Sequence, residues 1–506
     1  MEEAASFSLA VLSFSTLALL VALALLSKIL FPLPKKLKLP PGPKPWPIIG
    51  NLNLVGPLPH QSAHKLSQTY GPIMQVKLGS CPVVVASSPE MAKQFLKTHD
   101  RIFASRPQTA AGKYLNYGYL SVTHAPYGPY WRQGRKIFIS ELFSPKSLES
   151  FRYIRVEENR AFISRLYAMS GKAVVLKQHL SSLTLSVLCR IVLGKDHFSL
   201  TTSKSSIISL KESQDMTDEL YLLAGVANIG DWIPWLDVFD LQGYVKRMKA
   251  LQKKLDRFYE FVLNEHKARK EGVEEFLMIL TIDLEVKLTY DTVKAFTQDL
   301  VIGGSDTSAT TLEWAMSELI KQPNLIKKAT EELDRVIGRE RWVEEEDLEN
   351  LPYMDAIMKE AMRKHPVIVL LPHLALEDCN VAGYDVCKGT LVLVNIWSMG
   401  RDPTLLWDAP DEFRPERFLG NNAIDVKGQS FELLPFGSGR RMCPGYGHAL
   451  KMVRSCLANM LHGFTWKLSG HVKTEDLGME ESYGLLTHRK FPLVVVTEPR
   501  LPIRLY

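Results

Sequence analysis

Phe436-Gly437-Ser438-Gly439-Arg440-Arg441-Met442-Cys443-Pro444-Gly445 is a glycine-rich stretch followed closely by a helical pattern over residues 449–461. Positive charge, backbone N–H groups and a helix N-terminus all favour a cysteine thiolate, and this stretch offers all three. Cys443 is therefore expected to be ionised. The glycines let the backbone approach a flat partner closely, and the Phe436 ring can shield the sulfur from water. No second cysteine or histidine stands at zinc-ligand spacing, which argues against a tetrahedral metal site. One thiolate alone suits one axial position on haem iron.

The spacing Phe436, Gly439, Arg441, Cys443, Gly445 resembles the haem-binding signature of the cytochrome P450 superfamily of haem-thiolate monooxygenases. The resemblance runs over the whole chain and is closest to plant microsomal members. Gly50-Asn51-Leu52-Asn53-Leu54, Thr109-Ala110-Ala111-Gly112-Lys113-Tyr114 and Tyr130-Trp131-Arg132 resemble family 92 of the plant clan. The resemblance implies a fold that is mainly α with smaller β-sheets. It implies haem b as cofactor, with Cys443 as axial iron ligand, and electrons from NADPH supplied by NADPH-cytochrome P450 reductase. Cys81, Cys189 and Cys456 lie in apolar contexts that suit small core residues, and Cys379 and Cys387 lack the glycine-rich setting.

Further positions match by resemblance. Glu360 and Arg363, three apart on one helix, share a face, and with Arg417 they resemble the family's buried Glu-Arg-Arg network, a structural role. Gly303-Gly304-Ser305-Asp306-Thr307 resembles the oxygen-activation motif, which is expected to use Asp306 and Thr307 as a proton relay. Alanine is more usual in the family at the position of Gly303, so glycine leaves more room there. Trp131 and Arg135, four apart on a helical stretch, match residues that bind the haem carboxylates, as do Arg441 and His373; arginine is suited to a bidentate clasp. Arg132, Arg135, Lys136, Lys427 and Arg440 are expected to present a basic face to the reductase.

Composition sets the class. The chain has 506 residues and is 46% hydrophobic, with 61 Lys+Arg against 55 Asp+Glu, and 61 − 55 gives the formal charge of +6. Disorder is excluded, and so dilute a surplus argues against a nucleic-acid partner. Residues 4–27 carry no charge, long enough to cross about 30 Å of hydrocarbon. The start is acidic, Glu2 and Glu3, whereas Lys28, Lys35, Lys36 and Lys38 follow the run, which predicts a lumenal N-terminus and a cytosolic body. The expected organisation is an anchor over 1–31 with its transmembrane helix over about 7–30, a basic and proline-rich hinge over 32–47, and a catalytic domain over 48–506. A single-pass protein of the endoplasmic reticulum membrane follows, with lipid as a partner. Trp232-Ile233-Pro234-Trp235-Leu236 offers a second lipid contact or an ordinary core segment.

Strands are predicted at 73–78, 83–86, 391–394 and 492–496, and helices at 299–321 and 352–364. By resemblance the substrate pocket is lined by Gly303, Gly304, Ile368, Val369, Leu370, Leu485 and Leu486, within the segments 103–123, 296–304, 367–371 and 482–487. These side chains are apolar, so the substrate is expected to be a small lipophilic molecule placed by shape. The expected reaction oxidises a plant secondary metabolite, either a terpenoid alcohol, by hydroxylation or by oxidative C–C cleavage to a homoterpene, or a flavonoid or phenylpropanoid. The apolar lining leans to the terpenoid. A reductase-independent isomerase or dehydratase on the same fold would usually lack the Asp306-Thr307 pair, and a haem carrier would not need one.

Overall fold

In the computed structural model, which describes residues 37–194, 210–268, 286–402, 407–420, 424–470 and 473–506, the principal elements follow in chain order. They are α1 (Pro59–Tyr70), β1 (Ile73–Leu78), β2 (Cys81–Ala86), α2 (Pro129–Ile137), β3 (Ala173–Val175), α3 (Leu176–Leu193), α4 (Leu210–Gly225) and α5 (Tyr244–Ala268). Then come α6 (Tyr290–Lys321), α7 (Pro352–Lys364), β4 (Leu370–Leu374), β5 (Leu391–Asn395), α8 (Tyr446–Gly463), β6 (Phe464–Leu468), β7 (Glu481–Ser482), β8 (His488–Arg489) and β9 (Val494–Pro499). The expected anchor and the start of the hinge lie outside the described residues. No helix among the described residues is long and apolar enough to cross a membrane.

Helix α6 is the axis of the fold. It begins nine residues earlier than the sequence pattern suggests, because Thr289 and Thr292 form a capping box that satisfies its first N–H groups. Between positions 292 and 320 every residue is buried except Asp299, Gly303, Gly304 and Thr307. A helix buried nearly all round belongs to a core. The four exceptions recur at i, i+4, i+5 and i+8, so they form one open stripe on one face. The main core joins Leu180, Leu183 and Val187 of α3, Leu312 and Met316 of α6, Ile357 and Ala361 of α7, and Met452 and Leu457 of α8.

The two α6 glycines do different work. A Cβ on Gly304 would sit 2.7 Å from the Leu188 Cδ1 of α3, whereas one on Gly303 would meet nothing within 4 Å. Gly304 therefore permits close packing of α6 on α3, and Gly303 leaves room on the open stripe.

Four strands form a sheet in the order β1-β2-β5-β4, with β2 and β5 parallel and the other pairs antiparallel. A second sheet has the order β3-β9-β6. The described part of the hinge is extended, as its prolines dictate, but it is not a free strut. Gln75 N of β1 donates to Pro41 O at 2.8 Å, and Asp385 N donates to Lys38 O at 2.8 Å, which fixes the segment on the body.

Glu481 pins the strand that opens the 482–487 segment. It accepts from His60 Nε2 and Gln61 Nε2 of α1, each at 2.8 Å, and from Trp397 Nε1 at 3.0 Å. Burial pushes its carboxyl up, but the His60 hydrogen bond and charge, Arg401 and Trp397 overcome that and hold it at about 2.

Two outcomes follow. A carboxylate whose folded pKa is depressed contributes stability that is complete above its unfolded value and lost as pH falls through the folded one. Glu481→Gln is expected to cost about 2–3 kcal/mol at pH 7, with the gap to wild type narrowing from about pH 5 downward and closing only below about pH 2 in urea unfolding; a constant gap would rule out the assigned ion contacts. Gly304→Ala is expected to lower the thermal midpoint through overpacking, by about 1 kcal/mol or more. Gly303→Ala is expected to raise it by roughly 0.5–1 kcal/mol of helix propensity, and equal effects of the two would contradict the open stripe.

Candidate active site

The loop 436–445 is built to present one sulfur. Cys443 N donates to Phe436 O at 2.9 Å, closing the loop, and Gly437 and Gly439 take φ of +69° and +68°, a region that glycine enters without strain. Gly439 has a second constraint, since a Cβ there would lie 2.2 Å from Leu96 O. Gly445 is the N-cap of α8, so the helix starts three residues past the sulfur. Cys443 is half-buried.

Burial pushes the Cys443 thiol up, and the Gly445 N–H and Arg135 partly oppose it. A bound metal ion would favour the thiolate at this position.

Above the loop stands a cluster of cationic side chains from separate elements. Arg441 Nε donates to Ala104 O at 2.6 Å, Nη1 to Val122 O at 3.2 Å and Nη2 to Ala125 O at 2.6 Å. Its guanidinium lies 4.3 Å from the centroid of the Trp131 ring. Arg106 is held by the Pro372 carbonyl. Burial pushes Arg106 down to about 10, and burial with Arg106 and Arg135 nearby pushes Arg441 down to about 8. His373 is buried, with Nδ1 donating to Phe103 O at 2.7 Å; burial and the two arginines push it down to about 3, and His124 to about 4.

Among the described residues no carboxylate lies within ion-pair distance of Arg106, Arg135 or Arg441. Their depressed pKa values mark a site that lacks a counter-anion. The two carboxylates of haem supply such charge, and a thiol, a glycine loop and this cluster fit that group. Arg135, Arg441 and His373 gather as the sequence suggests. Trp131 lies in the cluster as well, but its Nε1 donates to Val122 O at 3.1 Å, so it props Arg441 and is already bonded. Arg106 and His124 were not legible as site residues, and the one signal was that Arg106 lies in the loop 103–123 and His124 just past its end.

Asp306 and Thr307 do not form the direct relay that the motif suggests. Neighbours in a helix point about 100° apart, and Asp306 is buried toward α3 while Thr307 lies on the open stripe. Asp306 Oδ1 accepts from Lys177 Nζ at 2.5 Å and from Ser181 Oγ at 2.8 Å, and Oδ2 has His488 Nδ1 at 3.7 Å. Burial pushes the Asp306 carboxyl up, but Lys177, His488 and Ser181 hold it below the ordinary value, so it is ionised at neutral pH. Lys177 Nζ also donates to Thr310 Oγ1 at 2.7 Å. Thr307 Oγ1 donates to Gly303 O at 3.2 Å, one turn back.

The apolar wall is partly as expected. Val367, Ile368 and Leu485 pack beside Val301 and Ile302 of α6 and buried Leu486. Val369 is fully buried. Leu370 is a correction: strand alternation turns it to the far side of the sheet. There it lines an apolar cleft of about 470 Å³ with Leu54, Leu66, Met74 and Leu393.

The structural network is present. Arg363 Nε and Nη2 donate to Glu360 at 2.7 and 2.8 Å, and Arg417 Nε donates to Glu360 Oε1 at 3.3 Å. Both partners of the first pair have fully buried side chains.

The family model described as Cytochrome P450 matches residues 40–494. A trimethyltridecatetraene synthase of Zea mays is 47% identical over 504 residues, covering 93% of this chain and 90% of its own length. A dimethylnonatriene synthase of the same plant is 45% identical, with 93% of each chain covered, and a flavonoid 3'-monooxygenase of Petunia hybrida is 44% identical, with 94% of each covered. A solved zebra fish cytochrome P450 with progesterone superimposes with a TM-score of 0.75 at 26% identity, over 87% of this chain and 99% of its own. With a lone cysteine presented under a cluster of unpaired cations, and a whole-length match in both sequence and fold, this chain belongs to the cytochrome P450 family and is a monooxygenase.

Proposed function

We propose that this enzyme oxidises a small terpenoid alcohol, either hydroxylating it or cleaving a C–C bond to leave a homoterpene. The single observation that carries the reading is the open stripe of α6. Gly303 leaves open space beside Thr307, and Val301, Ile302, Ile368 and Leu485 belong to one apolar cluster on this part of α6. Two relatives are named for branched polyene hydrocarbons, products that carry no ring hydroxyls to be recognised. A flavonoid is the second reading, supported by the relative named for that substrate. Haem, held by Cys443 with Arg106, Arg135, Arg441 and His373 at its carboxylates, would supply dioxygen activation with NADPH-derived electrons.

The chain's own part is placement and protons. Apolar side chains orient the substrate by shape and exclude water. Thr307 Oγ1 is the hydroxyl on the cavity face, and it can turn its proton from Gly303 O into the cavity. Asp306 holds negative charge behind it, and its release from Lys177 would let it recharge Thr307 through solvent. Arg132, Lys136, Lys427 and Arg440 are exposed and would face an acidic reductase surface. Arg135 instead turns inward, toward Cys443.

Placement on the endoplasmic reticulum membrane, with a lumenal N-terminus, is part of the same proposal. Its support is the uncharged run at residues 4–27 and an exposed apolar patch. Trp46 and Ile48 on one side, and Trp235, Val238, Phe239 and Leu241 on the other, are each more than 60% exposed. The turn at Gly79-Ser80 joins them, bonded to Ile49 O at 3.0 Å and to Trp232 O at 2.8 Å. Aromatic residues at such a patch favour the bilayer interface.

Expressed with a plant reductase in yeast microsomes, the reduced protein should give a thiolate-type carbon-monoxide spectrum. Terpenoid alcohols should then shift the haem toward high spin where flavonoids do not, and the reverse order would hand the proposal to the flavonoid. Thr307→Ala should keep consuming NADPH while product per NADPH falls several-fold and hydrogen peroxide rises; unchanged coupling would remove Thr307 from the proton path. A glycosylation tag at the N-terminus should be modified and one at the C-terminus should not, and the opposite pattern would refute the orientation.

A further inference from the structure

We propose that Asp299 is a positioning residue for the cofactor edge: it anchors the turn at residues 121–125 to α6, and two carbonyls of that turn set Arg441 and Trp131. The inference rests on the haem-thiolate reading of the site.

Asp299 is the first member of the open stripe, two turns before Thr307. Thr123 N donates to its Oδ2 at 3.0 Å. The N–H of Val122 and the hydroxyls of Ser121 and Thr123 bear on the same carboxylate. Burial lifts the Asp299 carboxyl to about 6, and these donors pull against the lift. The acid is thus held by the donors of one turn.

That turn moves as a unit. Ser121 O accepts from His124 N at 3.2 Å and from Ala125 N at 2.8 Å, and Ser121 Oγ accepts from His124 N at 3.2 Å. Whatever displaces Thr123 therefore displaces Val122 and Ala125. Val122 O is the acceptor for both Trp131 Nε1 and Arg441 Nη1, and Ala125 O accepts from Arg441 Nη2. Two of the three carbonyls that hold Arg441 thus belong to a turn that Asp299 ties down. The Val122 side chain packs with Trp131 and Phe296, so losing the carboxylate should loosen the turn without unfolding the domain.

The test uses the full-length protein as Asp299→Ala and Asp299→Asn. Asparagine keeps an oxygen that accepts the Thr123 N–H; alanine keeps nothing. Haem transfer to excess apomyoglobin should be five- to tenfold faster for Asp299→Ala and within twofold of wild type for Asp299→Asn. Hydrogen exchange should quicken in the peptide spanning 117–128 for the alanine variant alone, with α7 and α8 unchanged. Haem loss at the wild-type rate overturns the proposal, and so does a change confined to substrate KM, which would make Asp299 a substrate contact. Should Asp299→Ala fail to accumulate, Ser121→Ala combined with Thr123→Val removes two hydroxyl donors. Haem loss at least threefold faster then supports the anchor, and the wild-type rate refutes it. A wild-type protein without a thiolate spectrum would remove the haem reading itself, whereas unchanged exchange at 117–128 in Asp299→Ala removes the anchor whatever the cofactor.

Discussion

Positive charge buried without a carboxylate partner is the constraint on which the rest of this structure depends. Arg106, Arg135 and Arg441 converge from three separate segments, and main-chain carbonyls are their protein acceptors where bonds are formed. A carbonyl dipole offsets part of the desolvation of a guanidinium but cannot neutralise it. Elsewhere the chain pairs buried arginines directly, Arg155 with Glu345 at 2.6 Å and Arg363 with Glu360 at 2.7 Å. What sets the cluster at Arg441 apart is that three guanidinium groups stand together beside the one cysteine that a glycine loop presents, an arrangement that an anion from outside the chain would complete.

The two arginine arrangements are therefore opposite solutions to one problem. Glu360, Arg363 and Arg417 complete each other, with Gly400, Pro410 and Glu412 carbonyls taking the remaining Arg363 donors. Such a closed network ties α7 to the segment leading into the cysteine loop, and removing one member would strand a buried charge at about 3–5 kcal/mol. The cluster at Arg441 has no carboxylate partner by comparison, and burial lowers its pKa values, with neighbouring guanidinium groups adding to the shift at Arg441.

What was legible in the sequence followed from local rules. The 352–364 helix carries a proline at its first position and another just past its end, and α7 has those bounds. The Cys443 loop reads from its own glycines. Relations between distant segments were not legible. Lys177 meets Asp306 across 129 positions, and nothing local marks a lysine at the start of α3 as a carboxylate partner. Leu370 was misplaced for a related reason: an apolar run shows burial but not which face of a strand each residue takes. At Cys443 the sequence displays the groups that favour a thiolate and hides the desolvation that opposes them.

Helix α6 then separates two tasks that the motif compresses into neighbouring letters. Its open stripe carries Asp299, Gly303, Gly304 and Thr307, so it faces the loop turn, the free volume and the hydroxyl. Its buried face carries Asp306, held by Lys177 and Ser181 of α3 and close to His488 of β8. The Asp306 charge is thereby kept away from Gly303 and Thr307, and Asp299 is met by the donors of the 121–125 turn. The arrangement asks one thing of the fold: that α3 and α6 stay close enough for Lys177 to hold the carboxylate. Gly304 meets that demand, because any side chain there would push Leu188, and α3 with it, away. The glycine pair thus serves both faces, Gly303 by leaving open space on the stripe and Gly304 by letting α3 come close enough to hold the ionised Asp306 buried.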